Sequence, residues 1–303
     1  MTSVQPGERQ LGIGGWGFGF GLLAIAVAFM LASVVYVLIL MQVLGLELDA
    51  FLTDPPIENQ PVSTVGLLTT FFGMILGVWV AIRLILRRQF SLLIWSNIST
   101  VFGDFLKTTA GYAVIVGILS AIAIFAGSMV PNVPFDLWIR WAPLVFVLVL
   151  VQVTAEELVF RGYLQRILMD WSKSRLVWMV IPSVAFGALH YQSEIFGPNA
   201  WLVVVATSIF GFVAAELTYR SNSIGPAIGF HFVNNVNAML ITQMDAGVGG
   251  MALFKTPYST ADVDAVRTAL IQSSVLFCAL FVLVWFFWPR RTSEKFALKE
   301  PAE

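Results

Sequence analysis

Apolar residues run through this chain in long blocks separated by short polar stretches. No charged residue occurs between Gln10 and Leu46. That block predicts a first spanning helix over 16–43, longer than the about 20 apolar residues a bilayer core requires. It lacks a small-residue cleavage site and is too long for a signal-peptide core, so it reads as a span. The next blocks predict helices over 62–86 and 108–130, and from Trp141 through Val153 into a polar stretch. Arg83 falls near the end of the second, where its side chain can reach the interface. Blocks over 176–191, 200–217, 224–244 and 266–288 complete an all-α polytopic membrane protein of about eight helices. The fifth and sixth are short or polar-ended, which leaves a seven-span arrangement open.

Between the second and third spans, Leu92, Trp95, Ile98, Val101, Phe102 and Phe105 recur at helical spacing, with Ser96, Asn97, Ser99 and Asp104 among them. Two readings fit: an amphipathic helix on the inner surface, or an extension of the third helix. The chain divides into residues 1–140, with three spans and this segment, residues 141–244, where polar residues enter the helices, and residues 245–303. The last part reads as an outside loop, a final span and a short polar tail. Pro55-Pro56 and Pro131–Pro134 mark outside loops.

Composition agrees with the pattern. Hydrophobic residues make up 58% of the 303 and charged residues 12%, with mean hydropathy +0.84. Ordinary soluble domains carry about 25% charge, so a soluble globular enzyme, a disordered chain and a disulfide scaffold are excluded. A net charge of −1 provides no field for nucleic acid. The single cysteine, Cys278, excludes an intrachain disulfide and a Cys-based zinc cluster. Of the 17 Lys and Arg residues, only Arg140, Lys255 and Arg267 fall outside in an eight-span arrangement with both termini inside. Dropping one helix would invert everything after it and spoil this positive-inside asymmetry. A bacterial source would place such a protein in the inner membrane.

Ionisable residues within a membrane cost about 2.5–3.5 kcal/mol each on the insertion scale and are functional candidates by default. Here they cluster. The fourth helix carries Glu156, Glu157 and Arg161; the fifth ends on Phe186 and His190; the seventh carries His231, Asn234, Asn235 and Asn237. At about 100° per residue, Arg161 lies roughly 40° from Glu157 but roughly 140° from Glu156. Arg161 therefore pairs with Glu157, and Glu156 is left for chemistry. His231 and Asn235 share a face, and His190 and Glu156 are equidistant from the turn at Lys173. Asn234 and Asn237 read as interhelical hydrogen-bonding groups. Gly225 and Gly229 read as close-packing positions, and Glu216 as the partner of Arg220.

The set Glu156-Glu157-x-x-x-Arg161, Phe186-x-x-x-His190 and His231-x-x-x-Asn235 resembles the motifs of the CAAX protease and bacteriocin-processing family of intramembrane endopeptidases. That family includes the type II CAAX prenyl proteases and Abi-like proteins. The resemblance spans about Trp141 to Leu240. It implies that Glu156 and His190 activate a water, His231 and Asn235 stabilise the oxyanion, and Glu157 and Arg161 orient Glu156. It implies membrane lipids and a protein or peptide substrate with a hydrophobic or lipidated segment as partners. No cofactor is expected. Zinc is the alternative, held by Glu156, His190 and His231; with His231 assigned to the oxyanion, too few ligands remain. A transporter pathway or a non-catalytic membrane scaffold would use the same residue types, but inverted repeats and broken helices are not evident.

The charge asymmetry generates a test. A reporter that works only in the cytoplasm, fused to either terminus, is expected to give signal at both. Signal from one end alone would remove the eight-span arrangement.

Overall fold

The computed structural model describes residues 13–45, 61–245 and 251–291. Its helices, in chain order, are α1 Gly15–Leu44, α2 Pro61–Ile85, α3 Ile98–Phe125, α4 Phe135–Trp171, α5 Leu176–Ala188, α6 Ala200–Ser221, α7 residues 225–241 and α8 Val263–Phe287. Six of the described helices are long and apolar enough to cross a membrane. The two that are not, α5 and α7, are the shorter ones that bring His190 and His231 to the site. The fold is thus that of an all-α integral membrane protein.

Local signals explain several ends. α1 stops where Gly45 takes φ 65°, a left-handed conformation that costs glycine little. Asn97 caps α3 by accepting from the Thr100 backbone N–H, and Asp262 caps α8 by accepting from that of Ala265. Pro226 opens α7, where its missing N–H is not needed. Immediately after Glu157, α4 loosens into wider π-type turns over Leu158–Gln165, a distortion frequent at functional positions.

Burial separates a periphery from a centre. In the most apolar stretch of α1 and of α8 only 6% of residues are buried, against 67% in α6. α7 lies innermost, between α3, α4 and α6, and every residue of Gly225–Val233 is buried. Its first turns touch the α3 backbone. A side chain at Gly225 would collide with the Val101 carbonyl, and one at Gly229 would fall 2.7 Å from the Phe105 carbonyl and 3.0 Å from Thr109 Oγ1. The close-packing reading of these glycines holds. Deeper along α7, Ser120 Oγ of α3 donates to Asn237 Oδ1 at 2.8 Å, the interhelical bond expected of Asn237.

The segment before the third span is not a separate surface helix from Ile98 onward, because α3 runs unbroken to Phe125. Only Phe90–Ile94 forms a short turn of its own. The polarity is also the reverse of a surface helix: Ile98, Phe102 and Leu106 are exposed while Asp104 is buried. Arg291 supplies the reason. Its Nη1 and Nη2 donate to Asp104 Oδ2 and Oδ1 at 2.5 and 2.6 Å, and its backbone N–H donates to Arg220 O at 2.8 Å. These bonds to Asp104 hold the Arg291 pKa above its usual value. At the same end Glu216, fully buried, pairs with Arg220 at 2.6 Å as expected, and also with Arg175 at 2.9 Å.

The opposite end carries a small sheet that the periodicity did not foretell. Strands β1 Val130–Pro131, β2 Thr242–Asp245 and β3 Phe254–Ser259 form a three-stranded sheet in the order β1-β3-β2. β1 runs antiparallel and β2 parallel to β3. The sheet ties the ends of α3 and α7 to the start of α8. Pro55-Pro56 and the tail beyond Arg291 lie outside the described residues.

The α3–α7 contact has a measurable consequence. Gly229→Val inserts atoms where backbone already sits, and overpacking typically costs about 1–3 kcal/mol. A lower melting temperature in detergent is expected, with a smaller loss for Gly229→Ala. An unchanged melting temperature for both would contradict the close approach.

Candidate active site

Helices α4 and α7 supply the side chains of one polar cluster in the apolar interior. Glu157 of α4 is fully buried, Arg161 is 2% exposed and His231 of α7 is 3% exposed. The π-type turns do not disturb the i,i+4 relation: Arg161 Nη1 donates to Glu157 Oε1 at 3.0 Å. The same oxygen receives His231 Nδ1 at 2.8 Å. The other ring nitrogen, His231 Nε2, lies 3.5 Å from Glu156 Oε2. Glu157, expected only as the partner of Arg161, therefore also fixes the imidazole. His231, expected at the oxyanion, is the bridge between the two carboxylates.

Aromatic rings seal this cluster. Phe186 of α5 and Phe210 of α6 meet the His231 ring edge-on, at centroid distances of 5.7 and 5.0 Å. The Arg161 guanidinium lies 5.0 Å from the Phe186 ring centre, where cation–π attraction adds to the ion pair. Arg161 Nη2 also donates to the Gly211 carbonyl of α6 at 3.2 Å. Trp95, in the link before α3, donates from its indole to the Arg161 carbonyl at 3.0 Å, so a backbone carbonyl within the π-type turns has a buried partner.

Glu156 is less enclosed, at 9% exposure. Its Oε1 accepts from Gln152 Nε2 at 3.2 Å, and Gln152 Oε1 accepts from Asn235 Nδ2 at 3.2 Å. Its Oε2 is buried with no hydrogen-bond partner among the described residues. Gln152 escaped the sequence reading, although it is the one amide in the apolar run that precedes Glu156 and lies one helical turn before it. Asn234, expected to bond between helices, instead donates to its neighbour Asn235 at 3.0 Å.

His190 stands just past the end of α5, half-buried. Its Nδ1 lies 2.8 Å from the Phe186 carbonyl. A carbonyl only accepts, so Nδ1 carries hydrogen and the neutral ring keeps its lone pair on Nε2. Among the described residues His190 makes no hydrogen bond or ion pair with Glu156; its ring packs tilted against Phe186 at 4.8 Å, and Phe186 in turn touches His231. No group of three or more His, Cys, Asp and Glu among the described residues is arranged to hold a metal ion.

Residues 137–237, which contain every member of this cluster, match the family model described as type II CAAX prenyl endopeptidase Rce1-like. The match supports, at the level of the family, an intramembrane peptide hydrolase of the CAAX-protease type. The chain is also 27% identical over 230 residues to the protein YyaK of Bacillus subtilis (strain 168), named as uncharacterized, covering 73% of this chain and 74% of the relative. No solved structure matches.

The shared Glu157 oxygen makes Arg161 a stability residue. Arg161→Ala leaves a buried carboxylate with only His231 as partner, and breaking a buried pair costs about 3–5 kcal/mol. A reduced yield of folded protein and a lower melting temperature are expected. A normal melting temperature would show that the guanidinium is not the main counter-charge.

Proposed function

We propose that the chain hydrolyses peptide bonds in membrane-associated or lipidated substrates, with Glu156 as general base. The observation that carries this reading is Glu156 Oε2, which makes no hydrogen bond among the described residues and lies 3.5 Å from His231 Nε2, on the less enclosed side of the cluster. With both carboxylates ionised and His231 protonated, the four groups Glu156, Glu157, Arg161 and His231 sum to zero charge. A neutral cluster is the inexpensive one in a low-dielectric interior.

The chemistry follows from these partners. A water attacks the scissile carbonyl carbon and gives its proton to Glu156 Oε2. The carbonyl oxygen becomes an oxyanion. Because Glu157 takes the Nδ1 hydrogen, His231 can donate from Nε2 only as the imidazolium, which suits an oxyanion better than a neutral ring. Asn235 uses one amide hydrogen on Gln152 and has a second for the oxyanion. When the C–N bond breaks, Glu156 returns the proton to the departing amine. His190, with its lone pair on Nε2, assists in holding the water; contacts of this kind are often long before substrate binds.

Zinc does not fit this donor set. A catalytic zinc takes three protein ligands, and among the described residues no three His, Cys, Asp or Glu side chains are arranged to hold one. We therefore propose a glutamic rather than a metallo-endopeptidase, in a multi-pass membrane protein with both termini in the cytoplasm. The substrate reading rests on the family match: a C-terminal peptide carrying a lipid or an apolar segment.

The test uses purified full-length protein in lipid nanodiscs and an internally quenched peptide, either farnesylated on a cysteine near its C-terminus or carrying an apolar segment instead. Glu156→Gln keeps the shape but not the base, and cleavage is expected to fall about 10²–10⁴-fold; His190→Ala is expected to do similar damage. His231→Ala and Asn235→Ala should each cost about 10²–10³-fold. Chelators should leave the wild-type rate in place. Wild-type cleavage by Glu156→Gln would remove the base assignment, and activity switched off and on by zinc removal and return would replace the glutamic mechanism.

A further inference from the structure

One amide on α4 remains outside this mechanism. Gln152 precedes Glu156 by four residues and shares its helix face. Asn234 donates to Asn235, Asn235 to Gln152 and Gln152 to Glu156, at 3.0, 3.2 and 3.2 Å. All three bonds run in one sense, and the last member dictates it. An ionised carboxylate only accepts. The Gln152 nitrogen must therefore face Glu156 and its oxygen must face α7. Asn235 must then turn its nitrogen toward Gln152 and its oxygen toward Asn234. A side-chain amide without such partners has two orientations of similar energy, only one of which offers a donor on this side.

We propose that Gln152 is a positioning residue that commits Glu156 Oε1 and so leaves Oε2 as the reacting oxygen. By the same pair of bonds it turns the Asn235 nitrogen toward the nascent oxyanion. The proposal rests on the assignment of Glu156 and Asn235 above. Its position supports it: Gln152 and Asn235 are half-buried whereas Glu157, Arg161 and His231 are sealed, so the amide pair forms the open rim of the cluster. A glutamate at 152 could accept from Asn235 but not donate to Glu156 when ionised. A methionine could fill the space but would do neither.

The experiment compares Gln152→Met, Gln152→Glu and Glu156→Gln in the full-length protein, with the farnesylated quenched peptide, over a range of pH. The charged and titratable neighbours of this site are Glu157 and Arg161 on α4, His231 on α7 and His190 after α5; all stay in place in the Gln152 variants. Gln152→Met is expected to lose about 10–100-fold in kcat/KM, as loss of a supporting partner does, carried by kcat with the melting temperature little changed. Gln152→Glu sets a second carboxylate beside Glu156, which makes ionisation harder, so the acid limb of the pH–rate profile should move to higher pH. A packing role alone would lower activity only in step with melting temperature. Should Gln152→Met fail to fold, the isosteric Gln152→Glu carries the test, through a loss of kcat at unchanged melting temperature measured on the alkaline side of the shifted limb. Unchanged rate and profile in the Gln152 variants, with Glu156→Gln inactive, would overturn the positioning role and spare the catalytic reading. Normal cleavage by Glu156→Gln would overturn both.

Discussion

A single carboxylate oxygen, Glu157 Oε1, organises the centre of this protein. It takes hydrogen bonds from the Arg161 guanidinium on its own helix and from His231 on α7. Burying an ion costs several kcal/mol unless its lone pairs are met, so α4 and α7 are held in one relative position. Once Nδ1 of His231 is fixed, the direction of Nε2 is fixed, and with it the only ring atom that faces Glu156. The orientation of the imidazole is thus set from behind, by a residue that need not touch substrate.

The surrounding helices keep that arrangement dry and rigid. Phe186 and Phe210 close around His231, and Arg161 reaches through to the Gly211 carbonyl of α6. On the far side of α7, Gly229 allows the α3 backbone at Phe105 and Thr109 to come close. α7 is therefore gripped on one face by backbone packing and on the other by charge. The Asp104–Arg291 pair fastens the base of the same unit, linking α3 to the end of α8.

Much of this was legible in the chain because spans and polar intrusions contrast sharply in an apolar sequence. The helices could be placed from runs of residues, and the Glu157–Arg161 and Glu216–Arg220 pairs from i,i+4 spacing alone. What could not be read depends on side-chain rotation and on contacts far apart in sequence. Spacing shows that His231 reaches the level of Glu156, but not that its ring spans both carboxylates. Asp104 looks like part of a wet helix face until its partner, 187 residues away, is known. The sheet is built from strands too short to show a period. Gln152 was legible in principle: it is polar, deep and one turn from Glu156.

The polarity of α7 bears on how the molecule is assembled. A segment with His231, Asn234, Asn235 and Asn237 gains little from lipid by itself, and α4 brings two acids and an arginine into the same apolar surroundings. Each of these segments is a poor solute for a bilayer alone, and each supplies the groups that the other lacks. Entry of α7 into the membrane is therefore coupled to its docking against α3, α4 and α6, so that insertion and tertiary folding become one cooperative event. In this protein the groups proposed as catalytic are also those that make the central helix soluble in its own neighbours.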